Sequence, residues 1–270
     1  MSRRRRLDAE LVRRGLAPSR TQAQELIGAR KVLVGGAVAD KAARQVDPGD
    51  AIEVAGDGPR FVSRGGEKLA GALDRFEVEV ADRRVVDAGS STGGFTDCVL
   101  QHGAREVVAI DVGRNQLHER LRGDDRVAVH EQTNVRGIEP AAVGGPGDLL
   151  VSDLSFISLR TVLDSLLALT VDDGDMVLLV KPQFEAGKAE ADKGRGVIRD
   201  PQVWERTLGE VCAALDGAGA AIMDVMVSPI TGGDGNVEFL VHARRGAVSP
   251  GVDDAVDAAV REAVEMTGGS

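Results

Sequence analysis

The sequence predicts an α/β protein in two parts, a small α+β module at the N-terminus followed by an open, seven-stranded and largely parallel sheet. Three observations carry that expectation. From residue 85 onward short β-branched runs alternate with stretches of helical spacing, the pattern of a parallel sheet covered on both faces. The first of those runs ends in a glycine-rich loop. Charge also divides unevenly: the chain is −10 overall, yet residues 1–60 hold 12 Lys and Arg against 8 Asp and Glu, a net +4 that leaves −14 on the rest. A basic module on an acidic body can still bind phosphate locally, because screening at cellular salt acts over ~8 Å.

In the N-terminal part, Leu7, Leu11 and Val12 recur at helical spacing and Gly15 is placed to end that helix. Ser19 suits the cap of a second helix carrying Ala23, Leu26 and Ile27. Lys31 to Val34, Gly35-Gly36 and Ala37-Val38 read as a hairpin, and the turn Asp47-Pro48-Gly49-Asp50 leads into a strand from Ala51 to Val54. Through Arg6-Leu7-Asp8, Leu11, Gly15, Ser19-Arg20, Ala23, Ile27, Val32 and Val34 this segment resembles the S4 RNA-binding module. It departs at Gly35, where many such modules have asparagine. The resemblance implies that Arg5, Arg6, Arg13, Arg14, Arg20, Arg30 and Lys31 face structured RNA, against the alternative of an ordinary solvated face.

Ala55-Gly56-Asp57-Gly58-Pro59 has linker composition. The expected organisation is an RNA-binding domain over 1–58, a linker over 59–67 and a second domain over 68–270. Strands are expected at Val85 to Ala88, Val107 to Val112, Val127 to His130, Leu149 to Asp153, Met176 to Lys181, Ala221 to Val227 and Val237 to Ala243. Seven strands suit a Rossmann-like sheet of the methyltransferase type, whose last strand runs antiparallel. An amphipathic helix from Val252 to Val264 and a disordered tail from Thr267 close the chain.

Several classes are excluded. No apolar run is long enough to span a bilayer, and no apolar stretch follows Arg3 to Arg6, so a cytoplasmic protein without stable membrane association is expected. Cys98 and Cys212 sit in apolar segments outside any CxxC pair, and the four histidines lack ligand spacing, so neither disulfide nor metal is expected.

The first long run ends in Asp87-Ala88-Gly89-Ser90-Ser91-Thr92-Gly93-Gly94-Phe95. Glycines let the backbone turn sharply and approach a ligand, and the next helix offers its N-terminal amides to a carboxylate. Three residues separate Gly89 from Gly93, unlike the GxGxxG of dinucleotide sites. The loop is similar to those that bind S-adenosyl-L-methionine, with Asp87 near the amino-acid end of that cofactor. Asp111-Val112, about twenty residues on, supplies the acid expected to accept the ribose hydroxyl protons. Asn134 or its backbone neighbours fall near the adenine edge, or Asn134 is a simple turn residue.

The fourth and fifth apolar runs each stop at a charged residue, Asp153 and Lys181, on the edge of an open sheet where ligands bind. With Glu238 these are either a structural ion-pair group or a catalytic one. Asp153-Leu154-Ser155-Phe156 is not the polar-Pro-Pro-aromatic motif of base amino-group methylation, and neither cysteine lies on a crevice motif as pyrimidine-carbon methylation requires. A hydroxyl acceptor fits better. Such an acceptor needs positioning and a destination for its proton, so Lys181 acts either as a neutral base, with Lys68 as a nearby cation, or as a charged orienter. Lys188, Lys193, Arg195 and Arg199, interleaved with glycines, suit a loop closing on RNA phosphates, or a solvated loop. Phe156 and Phe184 can stack on a splayed base or pack in the core.

Over essentially its whole length the chain resembles the TlyA family of ribosomal RNA 2′-O-methyltransferases, historically labelled haemolysins, which join an S4 module to an FtsJ-like domain. The residues that carry this are Phe61 to Leu69, Asp87 to Phe95, Ser152 to Ser158, Lys181 to Glu185 and Gly235 to Phe239. Arg114-Asn115 stands where the family tends to have Tyr-Gly. The resemblance implies a catalytic tetrad of Lys68, Asp153, Lys181 and Glu238, and cofactor contacts from Asp87, Gly89, Ser90, Ser91, Thr92, Gly93, Gly94, Phe95, Asp111, Val112, Asn134 and Asp153. It also implies RNA contacts that add Arg64 to the basic residues above, S-adenosyl-L-methionine as cofactor, and ribosomal RNA or ribosomal subunits, not DNA, as partner of a monomer. The competing expectations are a non-catalytic ribosome-binding or assembly factor and a membrane-lytic protein.

Overall fold

The computed structural model describes residues 4–55, 59–187, 190, 196–249 and 251–268. They fall into two compact units, Met1–Ser63 and Arg64–Ser270.

In the first unit, helices Leu7–Arg13 and Arg20–Gly28 pack Leu7, Leu11, Ala23 and Ile27 against Val32, Val34, Val46 and Ile52. Gly15 ends the first helix in a left-handed conformation, φ +70°, with the Leu16 amide returning to the Leu11 carbonyl. Ser19 caps the second, its Oγ accepting from the Gln22 amide at 3.2 Å. Strands β2 (Val32–Val34) and β3 (Ala37–Val38) form the expected hairpin, and β5 (Ile52–Val54) pairs with β2 on its other side. One ladder was not expected: β1 (Arg5–Arg6) pairs antiparallel with β4 (Gln45–Val46). Two consecutive arginines show no alternation of apolar and polar residues from which a strand is read.

The second unit opens with helix Gly65–Phe76, which begins inside the stretch 59–67 read as linker. Leu69, Ala70, Ala72 and Leu73 bury one face of it, and that face fixes the helix despite its glycines. The sheet follows, with β6 (Arg84–Ala88), β7 (Glu106–Ile110), β8 (Val127–His130), β9 (Gly147–Ser152), β10 (Thr170–Val180), β11 (Ala220–Val227) and β12 (Phe239–Arg245). Its order is β11-β12-β10-β9-β6-β7-β8. Strands β6 to β10 are parallel, and β12 runs antiparallel to both β10 and β11, as expected of the last strand.

Three of the strands, β9, β10 and β12, differ from the sequence reading in instructive ways. Strand β10 starts at Thr170, not Met176, and slips register before Asp175; the acidic Asp172-Asp173-Gly174 segment, with Asp173 at φ +62°, hides its first half. Strands β9 and β10 end at Ser152 and Val180, one residue short, while β12 starts at Phe239, two residues late. Asp153, Lys181 and Glu238 therefore stand just beyond the ladder, free to turn into the crevice.

The helix Val252–Gly268 buries Val256, Ala259, Val260 and Ala263 in the same core as the sheet. That seat occupies the apolar face a membrane-lytic reading would need. Thr267, read as disordered tail, remains helical, its hydroxyl donating to the Ala263 carbonyl at 2.9 Å; Gly269 and Ser270 lie outside the described residues. Cys98 and Cys212 are both buried with no disulfide between them, and burial pushes the Cys212 thiol up to about 12.

Candidate active site

The chain lays β6 at the sheet centre, adds β7 and β8 on one side, then crosses to add β9 and β10 on the other. At that reversal the loops after β6 and β9 part to leave a crevice. The Asp153 amide donates to the Ala88 carbonyl at 3.2 Å, joining the two strand ends. Gly89 is at φ +93°, and a Cβ there would lie 2.8 Å from the Asp153 carbonyl oxygen. No other residue type fits that position without moving backbone.

A cavity of about 300 Å³ opens beside this contact. Gly89, Ser91, Asp111, Val112, Asp153 and Leu154 are in its wall, with Ile110, Gln116, Thr133, Val135, Ser155 and Phe156 completing it. The Asp111 carboxylate accepts the Ser91 amide at 2.8 Å and the Gly113 amide at 2.6 Å, one on each oxygen. Each carboxylate oxygen keeps a second acceptor site, so two ribose hydroxyls remain possible donors. The Arg114-Asn115 segment that departs from the family pattern is clasped by Glu131, which accepts the amides of Asn115, Gln116 and Leu117 and pairs with Arg122 at 2.5 Å. Led by the Asn115 amide, these donors hold the Glu131 carboxyl at about 2.

Asp87 lies beneath the loop rather than in the cavity wall. It is fully buried, its Oδ2 accepts from the Thr96 hydroxyl at 2.6 Å, and its Oδ1 has no partner among the described residues. Burial pushes the carboxyl up to about 7, with Asp153 and Asp111 adding to the rise and the Thr96 hydrogen bond opposing it. A folded state that holds this proton above the ordinary carboxylate range loses stability as pH rises through that interval. Stability is expected to fall by about 2 kcal/mol between pH 5 and pH 7 from this group alone. Urea unfolding of the protein and of Asp87→Asn across that range checks it: the variant should lack that part of the slope.

Two lysine–carboxylate pairs stand at the same edge of the sheet. Lys181 Nζ is 2.6 Å from Asp153 Oδ1 and donates to Ser155 Oγ at 2.8 Å. Lys68, from the helix Gly65–Phe76, meets Glu238 Oε2 at 2.5 Å, the two residues only 7% and 2% exposed. Register explains the grouping. Ser152 is level with Leu178 and Val180 is opposite Phe239, so the next residues along, Asp153, Lys181 and Glu238, share the edge. Gly232 presses against the Glu238 carboxylate, where a Cβ would be 2.1 Å from Oε1.

Not every expected residue reaches the cavity. Asn134 is exposed and its side-chain oxygen caps the Arg136 amide at 2.9 Å, the turn-residue alternative, while Thr133 and Val135 on either side line the wall. Phe95 is buried in packing, Ser90 is buried, and Thr92 contributes its carbonyl to the His118 amide. Gly93 is at φ +97° against Leu117 and Leu121, and Gly94 starts the helix. Lys188, Lys193 and Arg195 lie outside the described residues, whereas Arg199 is exposed. Ser155, Gln116 and Glu131 were missed by sequence reasoning; of these only Ser155 carried a signal, being inside a quoted motif. Among the described residues no group of three His, Cys, Asp or Glu is placed to hold a metal.

In the first unit the arginines are organised by two buried acids. Asp8 accepts both Arg6 Nε and Nη2 at 3.0 Å, Arg20 Nη2 at 2.9 Å and Gln24 Nε2 at 3.0 Å. Glu10 accepts Arg13 at 2.6 Å and Arg14 at 2.8 Å, with Arg5 at 3.9 Å. The Arg6 hydrogen bonds pull Asp8 well below the carboxylate range, and Arg13 and Arg14 hold Glu10 at about 2. Arg6 and Arg20 thus keep fixed guanidinium planes that are still half-exposed. Arg14 differs from the expectation of a free RNA contact, since it also donates to the carbonyls of Asp47, Pro48 and Asp50 and ties its helix to that turn. Arg30 and Lys31 are exposed, and Arg64 is half-buried at the start of its helix.

Comparison with known proteins matches residues 61–245 to the FtsJ-like methyltransferase family and residues 5–52 to the S4 domain. A relative in Mycobacterium tuberculosis, named 16S/23S rRNA (cytidine-2′-O)-methyltransferase TlyA, is 50% identical over 97% of this chain and 99% of its own. A Bacillus subtilis protein named as an rRNA methyltransferase, YqxC, is 46% identical over 89% of this chain and 86% of its own. A solved structure from Streptococcus thermophilus, carrying a hemolysin name, is 39% identical with a TM-score of 0.79, over 99% of this chain and 98% of that one.

Proposed function

As a member of the TlyA family this chain is an S-adenosylmethionine-dependent rRNA 2′-O-methyltransferase, and we propose that it methylates cytidine ribose, docks structured rRNA on its S4 unit, and uses Lys68, Asp153, Lys181 and Glu238 to position and activate the hydroxyl. The observation that carries the reading is the strand register that sets Asp153, Lys181 and Glu238 on one edge, each carboxylate paired to a lysine and Asp153 in the wall of a cavity of about 300 Å³.

The residues present fit the cofactor. Gly89 leaves the space a Cβ would fill, Asp111 offers acceptors to a ribose, and Thr133 and Val135 lie where an adenine edge would pass. When bound, S-adenosylmethionine supplies a sulfonium-activated methyl group. The protein's own task is the acceptor. Lys181 takes up the 2′-hydroxyl proton as the oxygen–methyl bond forms and the sulfur–methyl bond breaks, or as a cation steadies the charge growing on that oxygen. Asp153 fixes the lysine, and the buried Lys68–Glu238 pair holds the adjoining wall rigid. Phe156, 91% exposed at φ +64° and 5.2 Å from the Phe184 ring, offers a face on which a splayed base can stack.

For docking, the half-exposed planes of Arg6 and Arg20 suit phosphate contacts. Arg6→Ala or Arg20→Ala is expected to weaken rRNA binding and lower the salt slope of log K by about one. Filter binding across a salt series, with calorimetric cofactor affinity as control, checks this; an unaltered slope rules out phosphate contact. Methylation itself is tested by mapping 2′-O-methyl groups on ribosomal subunits incubated with protein and methyl donor. Binding without transfer would point instead to a non-catalytic ribosome factor.

A further inference from the structure

Lys181 has a partner to which neither the tetrad nor the family pattern gives a task. Its Nζ donates to Ser155 Oγ at 2.8 Å while pairing with Asp153 Oδ1 at 2.6 Å, and the Phe184 ring centroid stands 5.8 Å away. Ser155 is exposed and lines the cavity, so its hydroxyl lies on the substrate side of the lysine.

We propose that Ser155 is a positioning residue that aims the Lys181 amine at the acceptor hydroxyl. The inference rests on the reading of Lys181 given above. A neutral amine has two N–H bonds and one lone pair. The Ser155 hydrogen bond fixes one N–H, and the Asp153 carboxylate, ion-paired at 2.6 Å, draws the other toward it, so the lone pair faces away from both. With Asp153 alone the amine turns about its Cε–Nζ bond and its lone pair sweeps a cone. The same hydrogen bond and ion pair also orient the third N–H of an ammonium, so the hydroxyl matters in either protonation state.

The residue type suits the task. A second carboxylate at this place would stabilise the charged lysine and work against proton uptake. A serine oxygen accepts the N–H without adding charge. A misplacement of about 1 Å in a reacting group can cost on the order of 10²-fold in rate, which bounds the effect.

The test compares the protein with Ser155→Ala, Ser155→Thr and Lys181→Ala. Single-turnover transfer from labelled S-adenosylmethionine to purified ribosomal subunits gives the rate, calorimetry the cofactor affinity and filter binding the subunit affinity. Ser155→Ala is expected to slow transfer roughly 10- to 100-fold at saturation with both affinities unchanged, and Ser155→Thr to recover most of the rate. The inference is overturned if Ser155→Ala transfers at the normal rate, or if a matching fall in cofactor affinity accounts for the loss, since Ser155 would then be cavity wall only. An inactive Lys181→Ala beside a fully active Ser155→Ala removes this inference alone. A fully active Lys181→Ala removes the reading of the site and this inference with it.

Discussion

Lys181→Ala is expected to lower single-turnover methyl transfer by roughly 10² to 10⁴, the usual cost of losing a positioned proton acceptor. The fold should survive. Lys181 stands beyond the last ladder residue of β10, and the two groups it leaves behind, Asp153 and Ser155, have access to solvent through the cavity. Far-ultraviolet circular dichroism and cofactor affinity should therefore match the parent protein while transfer is lost. If the variant turned over normally on saturating ribosomal subunits, Lys181 would have neither of the roles assigned to it. A loss confined to half-saturation, with the rate intact at high subunit concentration, would mark it as a binding residue instead.

Glu238→Ala is expected to act mainly on stability, by about 3–5 kcal/mol, because it strands a buried ammonium. Lys68 and Glu238 are both nearly inaccessible and meet at 2.5 Å, so neither charge has water to fall back on. The paired replacement Lys68→Met with Glu238→Leu removes both charges and should cost far less, since apolar side chains of similar size often replace a buried ion pair without loss. Urea midpoints of the single and double variants check the first claim. Methyl transfer by the double variant checks the second: a folded, inactive protein would separate the pair's chemical task from its structural one. The contrast with Lys181 lies in the group left behind: the Asp153 side chain is 24% exposed, that of Lys68 only 9%.

The sheet was legible because its strands are apolar runs punctuated by glycine and charge, and Asp111, Asp153 and Lys181 were legible as the points where those runs stop. Lys68 and Glu238 were named beside Lys181, but their pairing with each other was not legible, since the two residues lie 170 positions apart. Asp8 and Glu10 look like the exposed acids of a helix start, yet both are buried and govern the arginines around them. Helical spacing alone does not reveal that, because the burial comes from guanidiniums folding over the carboxylates. The two readings of Asn134 stayed open for a related reason. A turn asparagine and a ligand-facing one have the same sequence context, and only the hydrogen bond to Arg136 separates them.

The placement of β12 has a consequence for the order in which the enzyme comes into being. A nascent chain leaves the ribosome N-terminus first. Lys68, the glycine loop, Asp153 and Lys181 are all synthesised while the slot between β10 and β11 is still empty, because the strand that fills it is the last in the sequence. Until that strand inserts, Lys68 lacks its counter-charge and the edge of β10 is unpaired. A polypeptide cut short before residue 238 can carry the glycine loop, Asp111, Asp153 and Lys181 and still lack the partner of Lys68. The four residues proposed to act on the acceptor come together only in a molecule whose translation has reached its final strand.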